Sequence, residues 1–207
     1  MQLPPNADAN FVPPPEGNHL AVCYRVIDLG TQQIEWNGAL KHQRKVMLSW
    51  ELPEEKMSDG QPFSVHQRYT LSSSDKATLR QHLESWRGRA FTEADFGPNG
   101  FNIRKVIGVP CMLAIIHATK NGRTYGNIRA IAKLPKGMSA PKPVNTPIYF
   151  SLDPPEYDEA LFASLSDGLR VVIMRSPEYQ QLRRQPTGEP PVEDAPPPRD
   201  LDDEIPF

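Results

Sequence analysis

The chain contains 207 residues with a mass of 23.3 kDa, 38% hydrophobic residues and a formal net charge of −2 at pH 7. This length supports one well-buried domain with extensions, and no apolar run of about 18 residues is present to form a membrane-spanning helix. The first residues carry neither the basic nor the apolar part of a secretory signal, so we expect a cytoplasmic protein.

The small net charge conceals a segregation of charge along the chain. Residues 185–207 contain seven acids and one base, a net −6, whereas residues 1–184 contain 22 bases and 18 acids, a net +4. The last 23 residues also hold seven of the 23 prolines. This composition predicts a disordered acidic tail, and the basic body predicts a surface that binds a polyanion.

The first half of the chain has the pattern of an arm followed by β-strands. Residues 1–16 include PP and PPP without a hydrophobic period, which predicts a proline-rich N-terminal arm. Runs rich in β-branched and aromatic residues then predict three strands, over residues 20–29, 44–52 and 63–72. Asn37-Gly38, between the first two strands, is a dipeptide typical of tight turns.

The hydrophobic period changes to that of a helix after the third strand. Leu79, Leu83 and Trp86 are spaced i, i+4 and i+7, which places them on one helix face. Two more strands are predicted over residues 111–118 and 123–134. Asn121-Gly122 lies between them and predicts a hairpin.

Three strands, a helix and a two-stranded hairpin follow the order of an OB-fold, a five-stranded barrel that binds oligonucleotides or oligosaccharides. We therefore predict a mainly β protein with an OB-fold DNA-binding domain over residues 17–134. Residues 135–184 are predicted to form a linker and short helices that pack on the barrel or contact another protein. The tail would occupy residues 185–207.

One face of the fifth strand has the residue types of a surface that binds single-stranded nucleic acid. Because side chains alternate between the faces of a strand, Arg123, Tyr125, Asn127 and Arg129 share one face. Guanidinium groups neutralise phosphates, a phenol ring stacks on a base, and an amide offers hydrogen bonds. The alternative interpretation is an ordinary solvated sheet face.

Further candidate DNA-binding residues are aromatic or basic: Trp36, Lys41, Arg44, Lys45, Trp50, Tyr69, Arg87 and Arg89. Trp36, beside a turn, is predicted to stack on a base, unless it folds back over the end of the barrel. Trp50 and Tyr69 lie within strands, where the sequence favours neither a core position nor an exposed one. Arg87 and Arg89 follow the helix and either bind phosphates or interact with the negative end of the helix dipole.

The sequence contains no catalytic or cofactor-binding motif. The five histidines and two cysteines lack the spacing of metal ligands, and no P-loop, G-x-S-x-G or G-x-G-x-x-G is present. Cys23 and Cys111 each lie in an apolar run, which predicts two buried thiols. We therefore predict a protein that is not an enzyme and that uses no cofactor or metal.

The last residues, LDDEIPF, resemble the acidic C-terminal tip of bacterial single-stranded DNA-binding proteins, with Glu204 in place of a third aspartate. Segments such as ESWRGRAFT and IGVPCMLAIIHATKNGRTYGNI resemble the single-stranded DNA-binding proteins of tailed phages and prophages, and this resemblance spans most of residues 11–180. It implies an OB-fold protein in a bacterial host cell that coats single-stranded DNA during replication, recombination and repair. The tip would recruit replication and recombination proteins through Asp202, Asp203, Glu204, Ile205, Pro206 and Phe207.

Two alternative functions stay open at the level of the sequence. The barrel and tail together could form a non-enzymatic adaptor that binds other proteins. A basic groove could also hold duplex DNA as well as single strands. The oligomeric state is not determined, and a homo-oligomer is compatible with the sequence.

Overall fold

The computed structural model describes residues 12–98 and 100–184, with the side chain of Trp36 excepted. Within them the chain forms six β-strands: β1 (Gly17–Trp36), β2 (Ala39–Lys56), β3 (Pro62–Thr70), β4 (Pro110–Lys120), β5 (Arg123–Ala132) and β6 (Ile148–Phe150). The same residues form five α-helices and one 3₁₀ helix: α1 (Thr78–Arg87), α2 (Glu93–Phe96), α3 (Glu159–Ser164), α4 (Asp167–Met174), α5 (Pro177–Arg184) and the 3₁₀ helix Ile103–Val106. None of the described helices is long and apolar enough to cross a membrane.

The two Asn-Gly dipeptides form the turns that the sequence predicts. Asn37 and Gly38 have φ angles of 52° and 73°, and Asn121 and Gly122 have φ angles of 51° and 75°. Two successive positive φ angles are typical of a type I′ turn, whose twist matches that of the flanking strands. Each turn therefore joins its two strands directly, β1 to β2 and β4 to β5.

The β1–β2 hairpin is much longer than the sequence predicts. Pairing continues as far as Trp36 opposite Ala39, through polar segments without apolar alternation. A register shift between Asp28 and Gly30 marks the place beyond which most of its side chains are exposed or half-buried. Backbone hydrogen bonds and the tight turn hold this ribbon, residues 31–44, without burial of an apolar face. The hydrophobic pattern therefore does not reveal it.

The strands pair in the order β3-β2-β1-β4-β5, with antiparallel neighbours, and β6 adds to β1 in parallel. β3 and β5 are the two ends of this order, and no ladder joins them in the described part of the chain. The sheet is consequently open. The backbone pairing does not close the five-stranded barrel that the sequence predicts.

One face of the sheet, the α1 face, packs against α1. Leu79, Leu83 and Trp86 are buried, which confirms the predicted apolar face of the helix. The ring centroids of Trp86 and Trp50 of β2 are 5.8 Å apart, and the indole N–H of Trp86 donates to the Pro110 carbonyl at 2.9 Å. Burial of side chains of this size contributes about 1.5–3 kcal/mol each, so α1 is an integral part of the core.

The opposite face of β1 and β2, the C-terminal face, is covered by the last helices. Ile27, Leu29 and Met47 form a second apolar cluster with residues of β6, α4 and α5, and Ile173 of α4 is fully buried in it. The outward side chains of β3 and of β5 stay largely exposed. The C-terminal helices thus cover the centre of this face and leave the outward sides of β3 and β5 and the β1–β2 ribbon accessible.

Both cysteines are buried free thiols, which confirms the prediction from their apolar surroundings. Burial raises the pKa of the Cys23 thiol to about 12 and also raises the pKa of Cys111. Thiols of this kind carry no appreciable thiolate at neutral pH and are chemically inert.

Candidate nucleic-acid interface

The outward face of β5 presents the four residues predicted from strand alternation. Arg123, Tyr125, Asn127 and Arg129 are all exposed, and Tyr125 has 38% of its surface accessible. We call this row the β5 platform. It combines two guanidinium groups, one phenol ring and one amide on a single sheet face. These are the groups that bind phosphates and bases of a single strand.

A β-bulge lies at one end of the β5 platform. Ala114 of β4 is opposite Ala130 and Ile115 is opposite Ile128, which leaves Arg129 without a partner in the ladder. Bulges redirect side chains and recur next to binding sites. Here the bulge leaves both Arg129 and Ala130 exposed, although Ile131, two residues after Arg129, is buried.

Small and apolar residues of β4 lie next to the platform. Ala118 is opposite Tyr125, and Ile116 is opposite Asn127. Ile116 is 43% exposed, so its apolar surface lies open beside the platform. A base stacked on the phenol ring would find an apolar neighbour there and no bulky obstacle at Ala118.

The segment before β1 supports the β4–β5 hairpin from the other side. Pro14 is buried beside Gly126, where a Cβ atom would lie 2.6 Å from the Pro14 Cγ. The backbone N–H of His117 donates to Glu16 Oε1 at 2.6 Å, and His117 Nε2 lies 2.8 Å from the Pro14 carbonyl oxygen. Glycine at position 126 thus allows the arm to pack flat against the hairpin and restrain it.

The tip of the β1–β2 ribbon carries part of the second predicted region. Lys41 is exposed, as is Leu40, with 64% of its surface accessible. The side chain of Trp36 lies outside the described part of the structure, so its predicted stacking role stays a prediction. The ribbon thus carries one exposed residue, Lys41, from the predicted DNA-binding cations.

Two cations near the base of the ribbon are occupied by other contacts. Arg44 donates to Asp28 and, at 2.8 Å, to Asp153, so its charge is neutralised inside the fold. The side chain keeps 30% of its surface exposed, and its predicted contact with phosphate stays a prediction. Lys45 Nζ donates to Gln43 Oε1 at 2.8 Å and to Thr70 Oγ1 at 2.7 Å. Partial burial lowers the pKa of Lys45.

Trp50 and Tyr69 take the core position, one of the two that the sequence left open for them. Trp50 is fully buried and Tyr69 is 3% exposed, because both point to the α1 face of the sheet. The hydroxyl of Tyr69 lies 2.9 Å from His82 Nδ1 of α1. Their rings are core residues and have no accessible face for a base.

The two arginines at the exit of α1 differ in accessibility. Arg87 donates to Asp95 at 2.7 Å, lies over the Phe91 ring at 4.3 Å and is only 22% exposed in its side chain. It stabilises the connection after α1, and its contact with DNA stays a prediction. Arg89 also donates to Asp95 but keeps 60% of its side chain exposed. The two guanidinium groups hold the pKa of the Asp95 carboxyl well below its usual range.

Sequence reasoning missed a second group of cations, on the C-terminal face of the sheet. Arg25 of β1 is opposite Ser49 of β2, and Ser49 is opposite His66 of β3. Arg68 follows two residues later on the same face of β3 and is exposed. In FSVHQRYTL, Phe63, Val65 and Tyr69 point inward, so the alternation predicts that His66 and Arg68 point outward. The bulge that places Arg25 on this face was not evident.

The predicted partner-binding residues, Asp202 to Phe207, lie outside the described residues. Comparison with models of known protein families found no match, and a search of curated proteins likewise found no similar sequence.

Proposed function

We propose that the chain is a single-stranded DNA-binding protein with an OB-type fold, acting by binding alone without a catalytic step. The observation that carries this proposal is the β5 platform, where arginine, tyrosine and asparagine side chains share one exposed face. Stacking of a base on an aromatic ring is worth about 1–3 kcal/mol and does not depend on base identity. The platform therefore suits sequence-independent binding of unpaired bases.

The order of the elements supports the OB-type interpretation of the fold. The pairing order β3-β2-β1-β4-β5, with a helix between β3 and β4, supports an OB-type plan, in which the open seam would lie between β3 and β5. The C-terminal helices are an addition to this plan and cover part of one sheet face.

The distribution of charge supports a division of roles. Residues 1–184 carry a net +4, which favours a polyanion, and residues 185–207 carry a net −6, which does not. We propose that the acidic segment recruits replication and recombination proteins, as the resemblance of LDDEIPF to the tip of bacterial single-stranded DNA-binding proteins implies.

The proposal is tested by fluorescence-anisotropy titration of a labelled single-stranded oligonucleotide. Tyr125→Ala should weaken binding roughly tenfold, while Tyr125→Phe should keep most of the affinity because the ring is retained. Arg123→Glu with Arg129→Glu should weaken it further. The control is Lys136→Glu with Lys142→Glu, which makes the same charge change at two exposed residues between β5 and β6.

Salt and strandedness distinguish the candidate functions. Single-strand affinity should fall with a log–log slope of about −0.7 for each phosphate neutralised. A duplex of equal length should compete poorly; equal competition would favour a general DNA binder. Unchanged titrations in the Tyr125 and Arg123/Arg129 variants would rule out the β5 platform, and absence of any oligonucleotide binding would favour the adaptor.

A further inference from the structure

A cavity of about 260 Å³ lies on the C-terminal face of the sheet, between β3 and the first turn of α4. Its lining includes the cross-strand row Arg25, Ser49 and His66, together with Arg68, Ser166 at the N-cap of α4, and Gly168 of α4. The volume lies below the range of about 300–1,000 Å³ that is typical of pockets for drug-sized ligands. It suits a small polyatomic group.

Arg25 and Arg68 are the two arginines that line this cavity. Among the described residues no ion pair includes Arg25 or Arg68, and Arg25 Nε is buried without a hydrogen-bond partner. Arg25 does contact the Tyr24 ring, at 5.9 Å from the centroid. Both guanidinium groups belong to residues that line the cavity, and each has N–H groups that can donate to an anion there.

The nearby acids are engaged elsewhere. Asp167, in the first turn of α4, pairs with Arg170 of the same helix. Glu51, which is opposite Ser64 at the end of the cavity, accepts from the backbone of Val144 and Asn145. Neither acid forms an ion pair with Arg25 or Arg68.

His66 lines the same cavity as the two arginines. Burial, and then the charges of Arg68 and Arg25, lower the pKa of the His66 imidazole. Like charges gathered in a partly buried place destabilise a fold unless an anion joins them, and such arrangements occur at functional sites.

We propose that this cavity, the Arg25 pocket, is a binding site for a phosphate group, built jointly by β1, β2, β3 and the first turn of α4. Arg25 and Arg68 donate to the phosphate oxygens, and the hydroxyls of Ser49 and Ser64 lie on the same lining. Guanidinium groups bind phosphate through paired, charge-assisted hydrogen bonds. The pocket lies on the β1–β3 half of the sheet, whereas the β5 platform lies at the other end of the strand order.

The phosphate has two possible carriers, a nucleic-acid strand or a free phosphate compound. The inference that a nucleic-acid strand carries this phosphate rests on the proposed function. The affinity of the pocket for phosphate does not. If a strand is the carrier, it contacts both ends of the sheet, with bases on the β5 platform and a backbone or terminal phosphate in the Arg25 pocket.

The test follows the His66 imidazole of the full chain by NMR while sodium phosphate replaces sodium chloride at constant ionic strength. We expect a saturable change of the His66 signals and a rise of its pKa, because a bound anion favours the imidazolium. Arg68→Gln, an exposed position, and Arg25→Gln should each weaken phosphate binding about tenfold. Arg175→Gln, an exposed residue just after α4, is the control and should change nothing.

No saturable change at His66, or the same response in Arg68→Gln as in the original chain, would overturn the proposal. Oligonucleotides with a 5′-phosphate or a 5′-hydroxyl identify the carrier. If both oligonucleotides change the His66 signals, the pocket binds an internal phosphate of the strand. If only the 5′-phosphorylated oligonucleotide changes them, the pocket binds the phosphate at the strand end. If inorganic phosphate binds but neither oligonucleotide affects His66, the strand as carrier is excluded. Tyr125→Ala tests the β5 platform separately, since it should alter oligonucleotide binding and leave inorganic phosphate binding unchanged.

Discussion

Gly30 is the residue at which the β1–β2 ribbon begins to extend beyond the core. Its φ angle is +68°, and its N–H donates to Asp28 Oδ1 at 2.9 Å. A Cβ atom here would lie 2.3 Å from the Cβ of Ser176, which is itself fully buried between α4 and α5. The junction of the two helices therefore approaches the backbone of β1 more closely than any side chain permits.

Gly30→Ala is predicted to destabilise the protein by several kcal/mol, since it combines left-handed backbone strain of about 1–2 kcal/mol with a steric clash. Gly38→Ala is the matched control, because Gly38 has a φ angle of +73° and no atom within 4 Å of its would-be Cβ. The Gly38→Ala variant should lose only the part of the free energy of unfolding that comes from backbone strain. Urea unfolding of both variants measures the difference, and equal losses would show that the contact with Ser176 is unimportant.

At the scale of elements, one buried carboxylate fastens the segment between β5 and β6. Glu51 of β2 is fully buried and accepts hydrogen bonds from the backbone N–H groups of Val144 and Asn145, at 2.8 and 2.7 Å. The Asn145 side chain donates to it as well, at 2.6 Å. A buried group with three donors aimed at it fixes the path of this segment across the sheet.

Glu51→Gln should lower the free energy of unfolding by about 2–3 kcal/mol, because an amide offers one acceptor oxygen where the carboxylate offers two. Glu54→Gln, an exposed substitution in the same strand, should have little effect. Hydrogen exchange of the Val144 and Asn145 amides provides a local measurement. Unchanged protection in Glu51→Gln would contradict the role assigned to this contact.

At the scale of the whole molecule, two histidines link stability to pH. Burial lowers the pKa of His82, and burial with two neighbouring guanidinium groups lowers the pKa of His66. Between these lowered values and the unfolded value of about 6.5, the unfolded chain binds more protons than the folded one. This contribution to stability is present above that window and is lost as the pH falls through it.

The free energy of unfolding should therefore fall between about pH 7 and pH 5, where carboxylates remain mostly ionised. The double variant His66→Gln with His82→Gln should show a flatter pH dependence than the original chain over this range. Urea unfolding at a series of pH values measures both slopes. Equal slopes in the two proteins would contradict the assignment to these histidines.

The acidic segment provides a further prediction for the whole chain. Removal of residues 200–207, which include four acids, should leave oligonucleotide affinity unchanged or slightly higher, because a competing anion is removed. Anisotropy titration at low and high salt measures this. Loss of DNA binding after the truncation would contradict a role of the segment in partner recruitment alone.

The local pattern of the sequence determined the elements and their turns. The helix face of Leu79, Leu83 and Trp86, the two Asn-Gly turns and the outward row of β5 all follow from residues adjacent along the chain. The full length of the β1–β2 ribbon does not follow from the local pattern, because backbone pairing holds the ribbon without apolar alternation. The open sheet does not follow from it either, since closure depends on whether β3 and β5 form backbone hydrogen bonds with each other.

Only the tertiary structure decided which polar and aromatic groups are accessible. In the sequence, Arg44 and Arg87 cannot be distinguished from exposed cations. Folding brings their partners, Asp153 and Asp95, close to them. Trp50 is compatible with either face of a strand until α1 packs on one of them. The Arg25 pocket likewise exists only because three strands and α4 converge. Accessibility and charge compensation depend on contacts between distant residues, which local periodicity does not encode.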